Sequence, residues 1–203
     1  MKLKIKPSSE LSEKRLLAFL DDLKDLDDRT VVLMIAAWID DCFDYLLRRS
    51  LLDDKKLQGA LLDSDRSLRS LHAKNTLAYL LGWTYAEVYR DVEKIRVIRN
   101  KFAHFRDRLS FRNETIKKTC MSFETAEAYN TGGPIVPMRS SRRRYIISGV
   151  LIARELLRIA TRAKRPRDTS SINPFLMSIR REIKSKSIQY AIKHIRKPND
   201  LKT

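Results

Sequence analysis

Arg99, Asn100 and His104 are the residues of this chain whose types and spacing could do chemistry together. A histidine can exchange a proton with a ribose 2′-hydroxyl near neutral pH, and a guanidinium can stabilise the charge that builds on an attacked phosphate. Such a set makes a ribonuclease-like site that needs no metal. On a helix with Ile95 at the centre of its apolar stripe, residues step by about 100° each. Phe102 and Val88 then fall within about 20° of that centre, Val92 and Ile98 within about 60°, and Arg99 at about 40°. Arg99 therefore faces the packed side, where a permanent cation needs an anion or a polar cavity. Asp28, Asp40 and Asp41 are the candidate partners. Asn100 and His104 share a face about 140° to 180° from the stripe, toward solvent, another helix or a second subunit. Two readings stand side by side. In one, Arg99 makes a buried ion pair while Asn100 and His104 cap or pack the helix end. In the other the three act on RNA, which requires a helix end at Ala103 or pairing across a dimer.

The elements that must position these residues are helical. Leu16, Leu20 and Leu23 predict a first helix over about Ser9 to Leu26. Asp27 and Asp28 suit the N-terminus of a second, Asp28 to Arg49, whose run Val31–Ile39 is apolar all round and predicts a buried spine. A short helix over Asp53–Leu62 and another over about Asp65–Leu81 follow. Gly82 suits a C′ position needing positive φ. Behind it, Thr84-Tyr85-Ala86-Glu87 reads as a capping box with Trp83 and Val88 as its hydrophobic staple. The helix it opens runs from Tyr85 to about His104. Beyond a connection over Arg106–Phe111, a single helix is expected from Asn113 to Tyr129, and Thr131-Gly132-Gly133-Pro134 is a loop. A long helix then covers Ser141–Lys164, and Arg165–Ser171 reads as a linker. A last helix is capped by Asn173 with Pro174 at its first position.

Composition agrees with this pattern. Charged residues at 33% and only 5 glycines and 6 prolines fit a folded helical protein and not a turn-rich β architecture. No apolar run approaches the ~20 residues a bilayer requires, and the basic N-terminus lacks the apolar core of a secretion signal. The expectation is a cytoplasmic protein with no membrane contact. Cys42 and Cys120 read as small core hydrophobes in a reducing compartment. There is no phosphate loop, no zinc spacing and no nucleophile elbow, so no metal and no cofactor is expected. His72 and His194 read as surface or packing residues.

Charge is unevenly spread. Residues 135–203 hold 18 Lys+Arg against 4 Asp+Glu, a net +14 of the total +17. A polyanionic partner, nucleic acid or an acidic protein, is the natural implication. Arg142, Arg143 and Arg144 stand in the first turn of a helix, where the dipole disfavours cations, a placement that hints at service to a ligand or partner. With Arg165, Arg167, Arg180, Arg181 and Lys184 they are the candidate nucleic-acid contacts.

Asp27-Asp28-Arg29, Ala78-Tyr79-Leu80-Leu81-Gly82, Ile98-Arg99-Asn100-Lys101-Phe102-Ala103-His104 and Leu109-Ser110-Phe111 resemble, in order and spacing, the mannitol operon repressor (MltR) family. The likeness covers roughly Leu16 to Cys120 and extends more loosely through the Ser141 helix. It implies an all-helical fold and repression of sugar-alcohol uptake by a protein lacking an evident helix-turn-helix. Arg99-Asn100-x-x-x-His104 is also similar to the signature of HEPN domains, helical bundles that include metal-independent, dimeric endoribonucleases serving as toxins or defence effectors. The reading is an all-α chain: a compact helical bundle over residues 1–164 with a basic helical C-terminal extension over 165–203. A homodimeric regulator of transcription is the first expectation, and a HEPN-type ribonuclease the alternative.

Overall fold

The computed structural model describes residues 19–63, 67–104, 109–132 and 140–164, with 129–132 as backbone alone. The last described stretches of the chain end at Lys164, so the expected linker, the last helix and His194 lie outside the described residues, as does the first helix before Phe19. The described chain is all α-helix: α1 (Asp28–Ser50), α2 (Lys55–Leu62), α3 (Leu71–Leu80), α4 (Ala86–His104), α5 (Glu114–Met121), α6 (Glu124–Gly132) and α7 (Ser141–Arg162).

Helix α1 begins where an acidic pair predicts it, because Asp27 accepts hydrogen bonds from the backbone N–H groups of Arg29 and Thr30. It packs against α7, α4 and α3 and forms the spine of the core. Its apolar run is not buried all round, however. Val31, Val32, Ile35, Ala36, Trp38 and Ile39 are buried, while Leu33 and Ala37 face solvent. The α1–α7 approach is close. A Cβ placed on Gly149 would lie 2.4 Å from Ile35 Cγ2, so any larger residue there would force Ile35 to shift. Across the same contact the buried Tyr145 hydroxyl donates to the Val32 carbonyl at 3.2 Å.

The α3–α4 junction closes on a Schellman turn. Trp83 N–H donates to Ala78 O and Gly82 N–H to Tyr79 O, both at 2.9 Å, with Gly82 at φ +69°. The capping box does not form. Thr84 Oγ1 is buried without a hydrogen bond, and the first helical bond runs from Tyr89 N–H to the Tyr85 carbonyl. Helix α3 also starts later than expected, since Ser70 caps it by accepting from Ala73 N–H.

The single helix expected over Asn113–Tyr129 is two. Ser122 ends α5, Phe123 is buried, and the carboxylate of Asp91 on α4 caps α6 from outside. Asp91 is fully buried and accepts from Glu124 N–H (3.2 Å), Thr125 N–H (2.8 Å) and the Thr125 hydroxyl (2.8 Å), with Lys94 Nζ at 2.8 Å. A long-range carboxylate outbids the local pattern here. Helix α6 continues to Gly132, two residues into the expected loop.

Candidate functional site

The last two turns of α4 carry the candidate set. Ile98 and Phe102 are buried in the core, Arg99 and Asn100 are half-buried, and His104 is exposed. Among the described residues Arg99 makes no hydrogen bond or ion pair. Its charge is nevertheless felt within the bundle, since it stabilises the ionised forms of Asp40 and Tyr145. The helix end is held by Arg29, whose Nη2 donates to the Ala103 carbonyl at 3.2 Å. An arginine thus caps the chain end between Arg99 and His104, consistent with the preference for cations at a helix C-terminus.

Two of the three candidate partners of Arg99 are engaged by other donors. Asp28 Oδ2 accepts from Phe111 N–H at 2.9 Å, and its Oδ1 lies 2.6 Å from Arg142 Nη1. Asp40 accepts from Lys74 Nζ at 2.9 Å. Asp41 is exposed. Burial holds the Asp40 carboxyl above its ordinary pKa, with Lys74 and then Arg99 pulling the other way. Burial, then Asp40 and Asp44, raise Asp41 as well.

Lys74 was invisible as a site residue in the sequence, and it is the best-buried cation among the described residues, 3% exposed at its side chain between Asp40 (2.9 Å) and Asp44 (2.8 Å). Burial opposes its charge, yet the two carboxylates outweigh that penalty and hold its pKa above the ordinary lysine value. The signal available in sequence was Asp40 and Asp44 at i, i+4 on one face of α1. Nothing local says which lysine answers them.

The arginine run at the start of α7 is split between two roles. Arg142 donates from Nη2 to the carbonyls of Leu23 (2.9 Å) and Leu26 (2.5 Å) besides pairing with Asp28. Arg144 is buried and bonds Glu127 at 2.6 Å and the Phe123 carbonyl at 3.3 Å. Only Arg143 is exposed. The dipole-opposed placement is therefore compensated inside the bundle at two of three positions. Arg165, Arg167, Arg180, Arg181 and Lys184 lie outside the described residues.

Both cysteines are free and buried, and burial pushes the Cys120 thiol up to about 12. His72 is on the surface, with Nδ1 3.0 Å from Glu93. Among the described residues no group of three or more His, Cys, Asp or Glu side chains could hold a metal ion, and no helix is long and apolar enough to cross a membrane.

No family model matches the sequence, and no curated protein matches it. Among solved structures the chain is similar to one from the X-ray structure of the MtlR-HPr complex from Escherichia coli, with TM-score 0.56 and 18% identity. The fold is MtlR-like. The match spans 70% of this chain and 96% of that one, so nearly the whole of the solved chain has a counterpart here. At 18% identity the likeness is one of architecture. Arg99 and His104 stand on one helix, the first half-buried and the second exposed.

Proposed function

We propose that this chain is a regulatory protein of the mannitol-repressor type that acts by docking a protein partner and not by chemistry of its own. One observation carries the reading: 70% of this chain is similar in fold to 96% of a chain solved in the MtlR-HPr complex. The ordered segments from Asp27-Asp28-Arg29 to Leu109-Ser110-Phe111 support it independently. In this reading residues 1–164 form the docking bundle, a homodimer is its working form, and the basic extension from 165 onward supplies a contact to a polyanion. Its output is repression of a transport operon.

The site geometry favours docking over catalysis. Arg99 is half-buried and His104 exposed at a helix end whose Ala103 carbonyl is held by Arg29, an arrangement that supports a structural duty for this helix end. Calorimetric titration of the purified chain with HPr tests the proposal, alongside incubation with total RNA in EDTA. The expected result is saturable binding and intact RNA. Absence of HPr binding together with EDTA-resistant cleavage that His104→Ala abolishes selects the ribonuclease instead.

A further inference from the structure

The solvent face of α7 carries a second basic feature that the arginine run at its start does not explain. Arg154, Arg158 and Arg162 are all exposed and recur every four residues, so they form one stripe with steps of about 6 Å along the helix. Arg158 is bonded through Nε to Glu155 at 2.7 Å and through Nη2 to the same carboxylate. Arg162 lies within electrostatic reach of that carboxylate too. Arg154 and Arg162 make no hydrogen bond or ion pair among the described residues, and Lys164 adds a further exposed cation. Glu155 is the one acidic residue from Leu151 to Lys164. The stripe is therefore net positive over three turns.

A second piece of surface is unusually apolar. Around the Gly82 turn, Leu80 is 75% exposed, Tyr85 65%, Leu81 47% and Tyr79 40%. The Tyr79 ring already stacks on Tyr89 at 5.0 Å. Tyr85 immediately precedes α4, which packs against α7, and its phenol lies within electrostatic reach of Arg158. Cations alone would suit any polyanion. Exposed rings next to them suit one whose bases are unstacked and available.

We propose that Arg154, Arg158 and Arg162, with Tyr85 at their side, form a binding surface for single-stranded nucleic acid. The guanidiniums follow the sugar-phosphate backbone along α7, and the Tyr85 ring stacks on a base. A duplex offers no free base face to Tyr85, and an acidic peptide offers no ring to stack. This surface lies on α7 and at the start of α4, away from Arg99 and His104 at the α4 end, and its test reads nucleic acid while the docking test reads HPr, so its failure would leave the docking proposal standing.

Fluorescence anisotropy of the full chain with a labelled twelve-residue oligouridylate tests it, with a duplex of equal length and polyglutamate as competitors. The variant Arg154→Gln/Arg162→Gln keeps the Arg158–Glu155 pair intact. It should weaken oligouridylate binding about tenfold and reduce the slope of log affinity against log salt by about 1.4. Tyr85→Ala should weaken binding between about fivefold and a hundredfold while Tyr85→Phe retains it. Arg112→Gln serves as the control for loss of an exposed arginine away from α7, and unchanged thermal melting confirms that every variant folds. Wild-type affinity in the double variant overturns the proposal, as does a duplex that competes as well as the single strand while Tyr85→Ala is silent. Polyglutamate competing as strongly as the oligonucleotide overturns it in favour of an acidic protein partner.

Discussion

Arg142 reaches Asp28 across 114 positions of sequence, its Nη1 2.6 Å from the carboxylate. The same guanidinium closes off the carbonyls of Leu23 and Leu26, and the same carboxylate takes Phe111 N–H. Three separate stretches of chain meet on one ion pair. Arg142→Ala would leave two carbonyls and a quarter-exposed carboxylate short of donors. The expected loss is about 1–3 kcal/mol, or several degrees in melting temperature. Partner affinity per molecule of folded protein should not change. Thermal melting beside binding at a temperature where both forms are folded checks this.

Lys74 is the cation whose loss the bundle can least absorb. In Lys74→Met the apolar stem is kept and the charge removed, so Asp40 and Asp44 face each other without a counter-ion. The expected destabilisation is about 2–4 kcal/mol at neutral pH. Its pH dependence has a definite sign. Burial holds the Asp40 carboxyl above the ordinary 3.8 even with Lys74 present, so without that cation its ionisation costs stability as pH rises and acidification relieves the cost. The deficit against wild type should shrink as pH is lowered toward 4. A deficit that grew on acidification would refute the assignment.

Glu124 gives the opposite dependence. Its hydrogen bonds to Arg90, and after that to Lys94, hold its carboxyl at about 2, below the ordinary 4.5. A depressed carboxylate contributes stability above pH 4.5 that is lost as pH falls toward 2. The pair is exposed, so the effect is modest. Glu124→Gln should flatten the fall in melting temperature between pH 4.5 and 2, measured in low salt.

How much of this was legible in the sequence depends on the reach of each interaction. The α1 start at Asp27 and the Gly82 turn could be read because cap and capped group are neighbours in sequence. The break between α5 and α6 could not, because its cause is Asp91, more than thirty residues earlier on α4. The capping box at Thr84 had the right letters and did not form. The inward tilt of Arg99 was a matter of helical phase and could be computed from Ile95. Which carboxylate met which cation could not: Asp40 took Lys74 and Asp28 took Arg142. Those choices are set by the packing of α1 against α3 and α7, and residue types alone do not contain it.

Gly149 gives a test of that packing. Gly149→Ala forces a methyl against Ile35 and should cost about 1–3 kcal/mol. Pairing it with Ile35→Ala opens the space, so the double variant should lose less than the sum of the single losses. Equal sums in a denaturation-based double-mutant cycle would mean that the helices already have slack between them.

The apolar interior is not one body. Leu47, Leu62 and Leu68 make a small cluster of their own beneath α2, with Trp83 packed against both it and the main core. So small a nucleus cannot hold its helix as firmly as the twenty-odd side chains gathered around α1 hold theirs, and amides of α2 should exchange with solvent long before those of α1. The two tryptophans then become reporters with different thresholds. Trp83 sits on the seam and senses a partial opening, whereas Trp38 is packed in the main core and stays dark to it until the entire bundle gives way.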